Sequence, residues 1–204
     1  MKYAFHSITI LLALSLQAFA SGGEAEPPQE KLYKCGGVGH ISIVNAGGVS
    51  NKESIVKTAQ TFEQLLMVDV KVSDAKWSLA TSADDVKATG AKAAIFVIND
   101  KTLPISLVAM EARWGVVNAN GLTDASVQKE VIRVLTVLLG GCSSQYAGSA
   151  MRAAFSAQDL EKNVGSSFTI DVMLPVLNNL EKMGFKTFQM LTREEAVDAG
   201  FMKK

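Results

Sequence analysis

Apolar positions recur at spacings of four and three across residues 51–67, through Ile55, Ala59, Phe62 and Leu66, which predicts a helix with one buried face. Residues 68–72 then alternate Val-Asp-Val-Lys-Val, the period of a half-buried strand. Residues 93–98 are apolar without a break and are flanked by Lys92 and Asn99-Asp100, which predicts a strand covered on both faces. An earlier β-rich run over residues 38–44, with His40 inside it, is ended by Asn45-Ala46-Gly47-Gly48. Residues 81–89 read as a short, weakly patterned helix. Two further strands are expected at 105–109 and 114–117, separated by Glu111-Ala112-Arg113, and residues 118–123 form a turn-rich link.

A helix is expected from residue 126 to residue 139, with Asp124 or Ser126 as its cap and Gly140-Gly141 as its stop. Its first turns are polar (Gln128, Lys129, Glu130) and the rest is nearly all apolar, so it must be buried toward its C-terminal end. A loop over residues 143–150 leads to a short helix at 157–162, capped by Ser156. A last long helix begins near Asp171, accepts Pro175 in its early turns and buries Met173, Val176, Leu177, Leu180 and Met183. The tail from Lys186 holds one strand and a short helix from about residue 192. This order predicts an α/β (α+β) domain: a twisted mixed sheet packed on two helices, followed by a mostly helical C-terminal half.

The start of the chain follows a different pattern. Lys2, an apolar run over residues 8–16 and Ala18-Phe19-Ala20 have the layout of a cleaved secretory leader, so residues 1–20 are expected to direct export, to a periplasm or out of the cell. The run is too short for a mature membrane span, and no stable membrane insertion is expected once the leader is removed. Residues 21–34, polar and with Pro27-Pro28, are expected to be flexible, leaving residues 35–204 as a single domain. Twenty basic residues balance twenty acidic ones, which leaves no field to steer nucleic acid. The two cysteines, Cys35 and Cys142, are expected to form a disulfide in an exported protein. A metal site of Cys35, His40 and Cys142 would lack a fourth ligand and any finger-like spacing.

The segment around Gly140 carries the most information about function. Zinc peptidases of the metzincin group share the motif HExxHxxGxxH. In archaemetzincins it is followed by Cys, four intervening residues, a second Cys, one residue and Met. With the motif glycine on Gly140, the chain resembles this pattern in spacing: Met151 falls on the methionine, and Asp159-Leu160 matches the Asp-Leu-Asp-type segment beyond it. Pro175 falls near the start of the final helix, as in that group. The same register puts Arg133 and Val137 on the two helical histidines, Val134 on the glutamate, Ser143 on the third histidine, and Ser144 and Ser149 on the cysteines. The resemblance implies a zincin-like fold with retained motif positions Gly140, Met151 and Asp159. An apolar core helix ended by a glycine accounts for the same segment without ancestry.

Two histidines four apart on one helix face share a zinc ion, a third ligand completes the grip, and the glutamate activates the bound water. Arginine brings a cation to that place, and valine offers no lone pair. The chain has only two histidines, His6 and His40, and His6 belongs to the expected leader. The resemblance thus implies a metallopeptidase homologue without metal, cofactor or catalysis, acting as a binding or scaffolding module for a peptide or protein in the former cleft. Trp114, Val116 and Asn118 are the candidate residues of the cleft-edge strand, where an extended peptide could add as a further strand. Two alternatives stay open: a hydrolase built on Ser143 or Ser144 with His40, and a structural component of the cell envelope. No Gly-x-Ser-x-Gly elbow precedes either serine.

Overall fold

The computed structural model describes residues 36–37, 39–46, 51–66, 68–78, 82–146, 148–162, 168–186 and 193–198. The expected leader, the flexible segment 21–34 and Cys35 lie outside the described residues. Strand β1 (Gly36–Gly37) is followed by β2 (Ile41–Asn45), helix α1 (Lys52–Leu66), β3 (Val70–Ser73), α2 (Ser82–Thr89), β4 (Ala93–Ile98), β5 (Ser106–Ala109) and β6 (Trp114–Asn118). The second half holds α3 (Asp124–Leu138), α4 (Ala157–Lys162), α5 (Ile170–Lys182), β7 (Phe185–Lys186) and α6 (Arg193–Asp198). His40 sits just ahead of β2 rather than inside a strand.

Five strands form one sheet in the order β3-β2-β4-β6-β5, with β5 alone antiparallel to its neighbour. The chain moves from β2 out to β3 and then back past β2 to β4. Right-handed crossovers demand that such a reversal place the two connecting helices on opposite faces. They do: Ile55, Phe62 and Leu66 of α1 join Ile41, Ile43, Ile95 and Val97 in the main core, while Val86 of α2 joins Val44, Phe96 and Val116 on the other face. Both faces of β4 are covered, which is why its six residues are uninterruptedly apolar. Helix α3 returns to the α1 face, packing Val127, Val131, Val134, Leu135 and Leu138 into the main core.

The N-cap of α3 is Thr123 and not Asp124 or Ser126; its Oγ1 accepts from the Ser126 amide at 3.3 Å, and Asp124 is already in the first helical turn. At the other end, the Gly140 amide donates to Val137 O and the Gly141 amide to Thr136 O, both at 2.8 Å, the paired bonds of a Schellman stop. Gly140 takes φ +93°, a conformation strained for any side chain. Helix α5 buries Val172, Val176 and Leu180, with Met183 just past its end; the expected Met173 and Leu177 are only half-buried. The spacing 172, 176, 180 follows a single ridge of the helix, one step round from the face that the sequence pattern suggested.

The expected Cys35–Cys142 disulfide involves Cys35, which lies outside the described residues; Cys142 is an exposed free thiol. Strand β1 pairs antiparallel with β7 beyond the C-terminal end of α5. A side chain at Gly140 would meet Asn179, whereas one at Gly141 would meet Val172, so the chain here travels toward the start of α5.

Candidate functional site

The face of α3 that carries Glu130, Arg133, Val134 and Val137 turns toward β5 and β6, since residues three, four and seven apart stack on one side of a helix. Glu130 and Arg133 form a buried ion pair: Arg133 Nε donates to Glu130 Oε2 at 2.9 Å, and Nη2 donates to Oε1. Ser106 of β5 closes the group. Its hydroxyl donates to Glu130 Oε1 at 2.6 Å and accepts from Arg133 Nη2 at 3.0 Å. Glu130 is 1% exposed and Arg133 9%, so the charges neutralise each other inside the protein. The guanidinium is folded back along its own helix and pinned to the edge strand.

Val134 is fully buried against the sheet. A Cβ placed on Gly115 of β6 would come within 2.6 Å of Val134 Cγ1 and 3.1 Å of Leu107 O, so glycine is what lets α3 approach this strand. Val137 is half-buried, and Ser143 is exposed in the loop beyond the Schellman stop. Met151 is fully buried; its amide donates to Ser149 Oγ at 3.1 Å and its carbonyl accepts from the Ser144 amide at 3.1 Å. The expected cap of α4 is present, with Ser156 Oγ accepting from the Asp159 amide at 3.1 Å. Asp159 Oδ2 accepts from the Phe155 amide at 3.1 Å, and its Oδ1 lies 3.6 Å from Arg152 Nη2.

The expected cleft-edge strand is corrected. Trp114, Val116 and Asn118 belong to β6, which is hydrogen-bonded on both sides, to β4 and to β5. Val116 is fully buried, and Asn118 is a structural clamp: its side-chain Nδ2 donates to Asp100 O and Leu103 O at 2.7 and 2.8 Å, and its Oδ1 accepts from the Asp100 backbone N–H at 3.0 Å. The open edge belongs to β5. Because the Asn118 amide donates to Ile105 O, the ladder alternation turns Leu107 and Ala109 inward and leaves the peptide groups of Ser106 and Val108 facing out. Val108 and Met110 are exposed there.

His40 and the two candidate serines are not joined by any hydrogen bond among the described residues. His40 lies beside β3, where burial and then the Lys71 cation lower its pKa below 6.5, opposed by Asp69. A value depressed by folding means that the unfolded chain binds the proton more readily. The stability contribution is therefore intact above pH 6.5 and is lost as the pH falls through it. Urea midpoints at pH 7.5 and 5.5 are expected to fall less for His40→Gln than for the unaltered protein; an equal fall would remove His40 from the balance.

No family model and no curated protein matches the chain. Solved structures do. The crystal structure of archaemetzincin from Methanopyrus kandleri is similar over 77% of this chain and 99% of that one, with a TM-score of 0.55 at 14% identity. A zinc-dependent peptidase from Methanocorpusculum labreanum is similar over 67% of this chain and 99% of that one, with a TM-score of 0.53 at 10% identity. The fold is archaemetzincin-like. A zinc ion does not fit the side chains at the motif spacing: Arg133 is already paired, Val134 and Val137 have no donor atoms, and among the described residues no three of His, Cys, Asp and Glu gather into a possible metal site. Among those residues, too, no helix is long and apolar enough to cross a membrane.

Sequence reasoning passed over Glu130 and Ser106. The available signal was the Glu130–Arg133 spacing, two opposite charges one turn apart entering the apolar half of a helix.

Proposed function

We propose that this chain is an exported, catalytically inactive protein of the zinc-peptidase fold that holds an extended peptide as an added strand along β5. The observation that carries the reading is the Glu130–Arg133–Ser106 group, which fills the helix face where a peptidase of this fold would need metal ligands, directly behind a strand whose outer edge is open. Main-chain pairing at such an edge supplies affinity without catalysis, and side chains alternating along the guest supply selectivity. The leader-like pattern of residues 1–20 supports export.

Val108→Pro tests the binding half. Its N–H faces outward, so proline removes a donor that a guest strand would use while leaving the β5–β6 ladder intact. Peptide binding measured by fluorescence anisotropy is expected to weaken by about tenfold or more in this variant, the scale of losing one to two kilocalories of pairing. Elemental analysis and a peptide-cleavage assay test the other half. The expected result is no stoichiometric metal and no hydrolysis; one zinc per chain together with chelator-sensitive cleavage would overturn the reading.

A further inference from the structure

The two edges of the sheet are finished differently. On β3, Lys71 is exposed in mid-strand, the Val70 amide donates to Glu63 Oε1 at 3.1 Å, and the Lys52–Asp74 ion pair stands just past the strand's end. Charges and a capped donor of this kind keep another strand from pairing there. Strand β5 has no such protection. Residues 105–110 read Ile-Ser-Leu-Val-Ala-Met without a charge, and no side chain among the described residues caps the outward amides of Ser106 and Val108. Val108 and Met110 are exposed beside them. The strand is also held in place: the Ser106 hydroxyl is bound into the Glu130–Arg133 pair, so little is left to order when a partner arrives.

This edge is complementary to itself. Its outward groups alternate along the strand, so a second β5 laid antiparallel about a two-fold axis through Val108 meets donor with acceptor. Val108 exchanges both main-chain bonds with its own counterpart, and the Ser106 carbonyl faces the counterpart of the Met110 amide. The Met110 carbonyl is already taken by the Arg113 amide at 3.2 Å, which ends the pairing there. Charge agrees with the antiparallel direction. Asn118 holds residues 100–103 at the head of β5 and Thr102 engages Asp100, which leaves Lys101 as the exposed charge there; at the tail, Glu111 is exposed. Neither belongs to an ion pair among the described residues, and Arg113 lies one strand further in, at the start of β6. Antiparallel copies bring each cation to the end where the other carries its carboxylate, whereas parallel copies would set like beside like. We infer that two copies of this chain pair their β5 strands antiparallel and join their sheets into one. A guest strand and a second copy then exclude each other from the same edge. The inference does not rest on the strand-addition reading, since it needs no peptide.

Sedimentation velocity on the purified chain tests this without any ligand. One short edge is smaller than a standard interface, so a monomer–dimer equilibrium with a Kd on the order of ten micromolar is expected. Val108→Pro removes the central donor. Val108→Lys keeps that donor and sets two cations against each other at the axis. Each variant is expected to raise the Kd by about tenfold or more. The axis also places the two Val108 Cα atoms about 5.5 Å apart. In a Cys35→Ser/Cys142→Ser background, Val108→Cys is therefore expected to be joined into a dimer by a short bismaleimide, and Lys71→Cys on the protected edge to stay monomeric. A chain that remains monomeric at roughly twenty times that Kd, a dimer that both Val108 variants leave intact, or equal cross-linking from β3 and β5 would overturn the inference. Peptide binding separates the two readings. An amidated apolar heptapeptide that binds a chain which never dimerises removes the second copy and leaves strand addition standing. A dimer that binds no peptide does the reverse. Where both hold, the peptide is expected to dissociate the dimer and to block the Val108→Cys cross-link.

Discussion

Glu130→Leu is expected to destabilise the protein by about 3–5 kcal/mol, because it strands the Arg133 guanidinium in a buried position with only the Ser106 hydroxyl as partner. Arg133→Leu is expected to cost a similar amount by leaving the Glu130 carboxylate uncompensated. The double variant Glu130→Leu/Arg133→Leu removes both charges and fills the space with carbon. Buried pairs of this kind are often neutral or favourable to replace, so it is expected to recover most of the loss. The coupling between the two sites, read from urea denaturation of the four proteins, is then several kilocalories per mole. Additive losses would mean that each side chain is solvated independently and that the pair does not close this face of the helix. The same cycle bears on function. If the pair pins β5 through Ser106, the double variant keeps its stability yet loosens the edge strand, and peptide affinity falls while the denaturation midpoint does not.

The fold was legible wherever one residue type had a single physical use. The spacing of Ile55, Ala59, Phe62 and Leu66 has one reading, and all four are buried in α1. The unbroken apolar stretch in β4 has one reading as well, and both its faces are covered. Strand order was not legible, because it depends on where a hairpin folds rather than on any strand's own pattern. Residues 105–109 and 114–117 were both readable as strands, but nothing in their periodicity says that β6 inserts between β4 and β5. The local clues lay outside the strands: Pro104 just ahead of β5 and Met110-Glu111 just after it suit a short exposed edge, whereas Gly115-Val116-Val117 suits a strand closed in on both sides. The direction of the chain between Gly140 and Gly141 is likewise set by its packing on α5, which no spacing encodes.

At the candidate site, the residue types on this face of α3 were readable from the sequence alone, but the partners they find in the structure were not. Arg133 read as a stray cation at a histidine position. In the structure it is half of a neutral, hydrogen-bonded group whose other members come from one turn earlier and from the edge strand. Val134 read as a residue with no lone pair, and in the structure it is also a packing element that needs Gly115 opposite it. The distinction matters for the proposed reading, because a helix face with room for a polar side chain would accept one, whereas a closely packed face resists.

Val134→Glu measures that resistance. It puts an acid where the resemblance places the glutamate of the metallopeptidase motif on α3, and on a face with room for a polar side chain it would be tolerated. Here the new carboxylate would enter a fully buried position, with Gly115 allowing the helix so close that even a methyl group on the strand would collide. Leu138 Cδ1 is 3.5 Å from that same point and Leu107 O 3.1 Å, so carbon and a strand carbonyl crowd it. Arg133, the nearest cation along the helix, is committed to Glu130. An uncompensated buried charge costs about 3–5 kcal/mol or holds its proton far above the ordinary carboxylate range. Val134→Glu is therefore expected to lower stability by that amount at pH 7 and to recover part of it as the pH falls toward 5, the opposite trend to that given by His40. Val134→Gln, equal in size but without the charge, separates the steric share, which is pH-independent, from the electrostatic one. If Val134→Glu stays within about 1 kcal/mol of the unaltered protein across that range, the helix face is open enough to solvate a carboxylate, and the proposed repacking of the metal site is wrong.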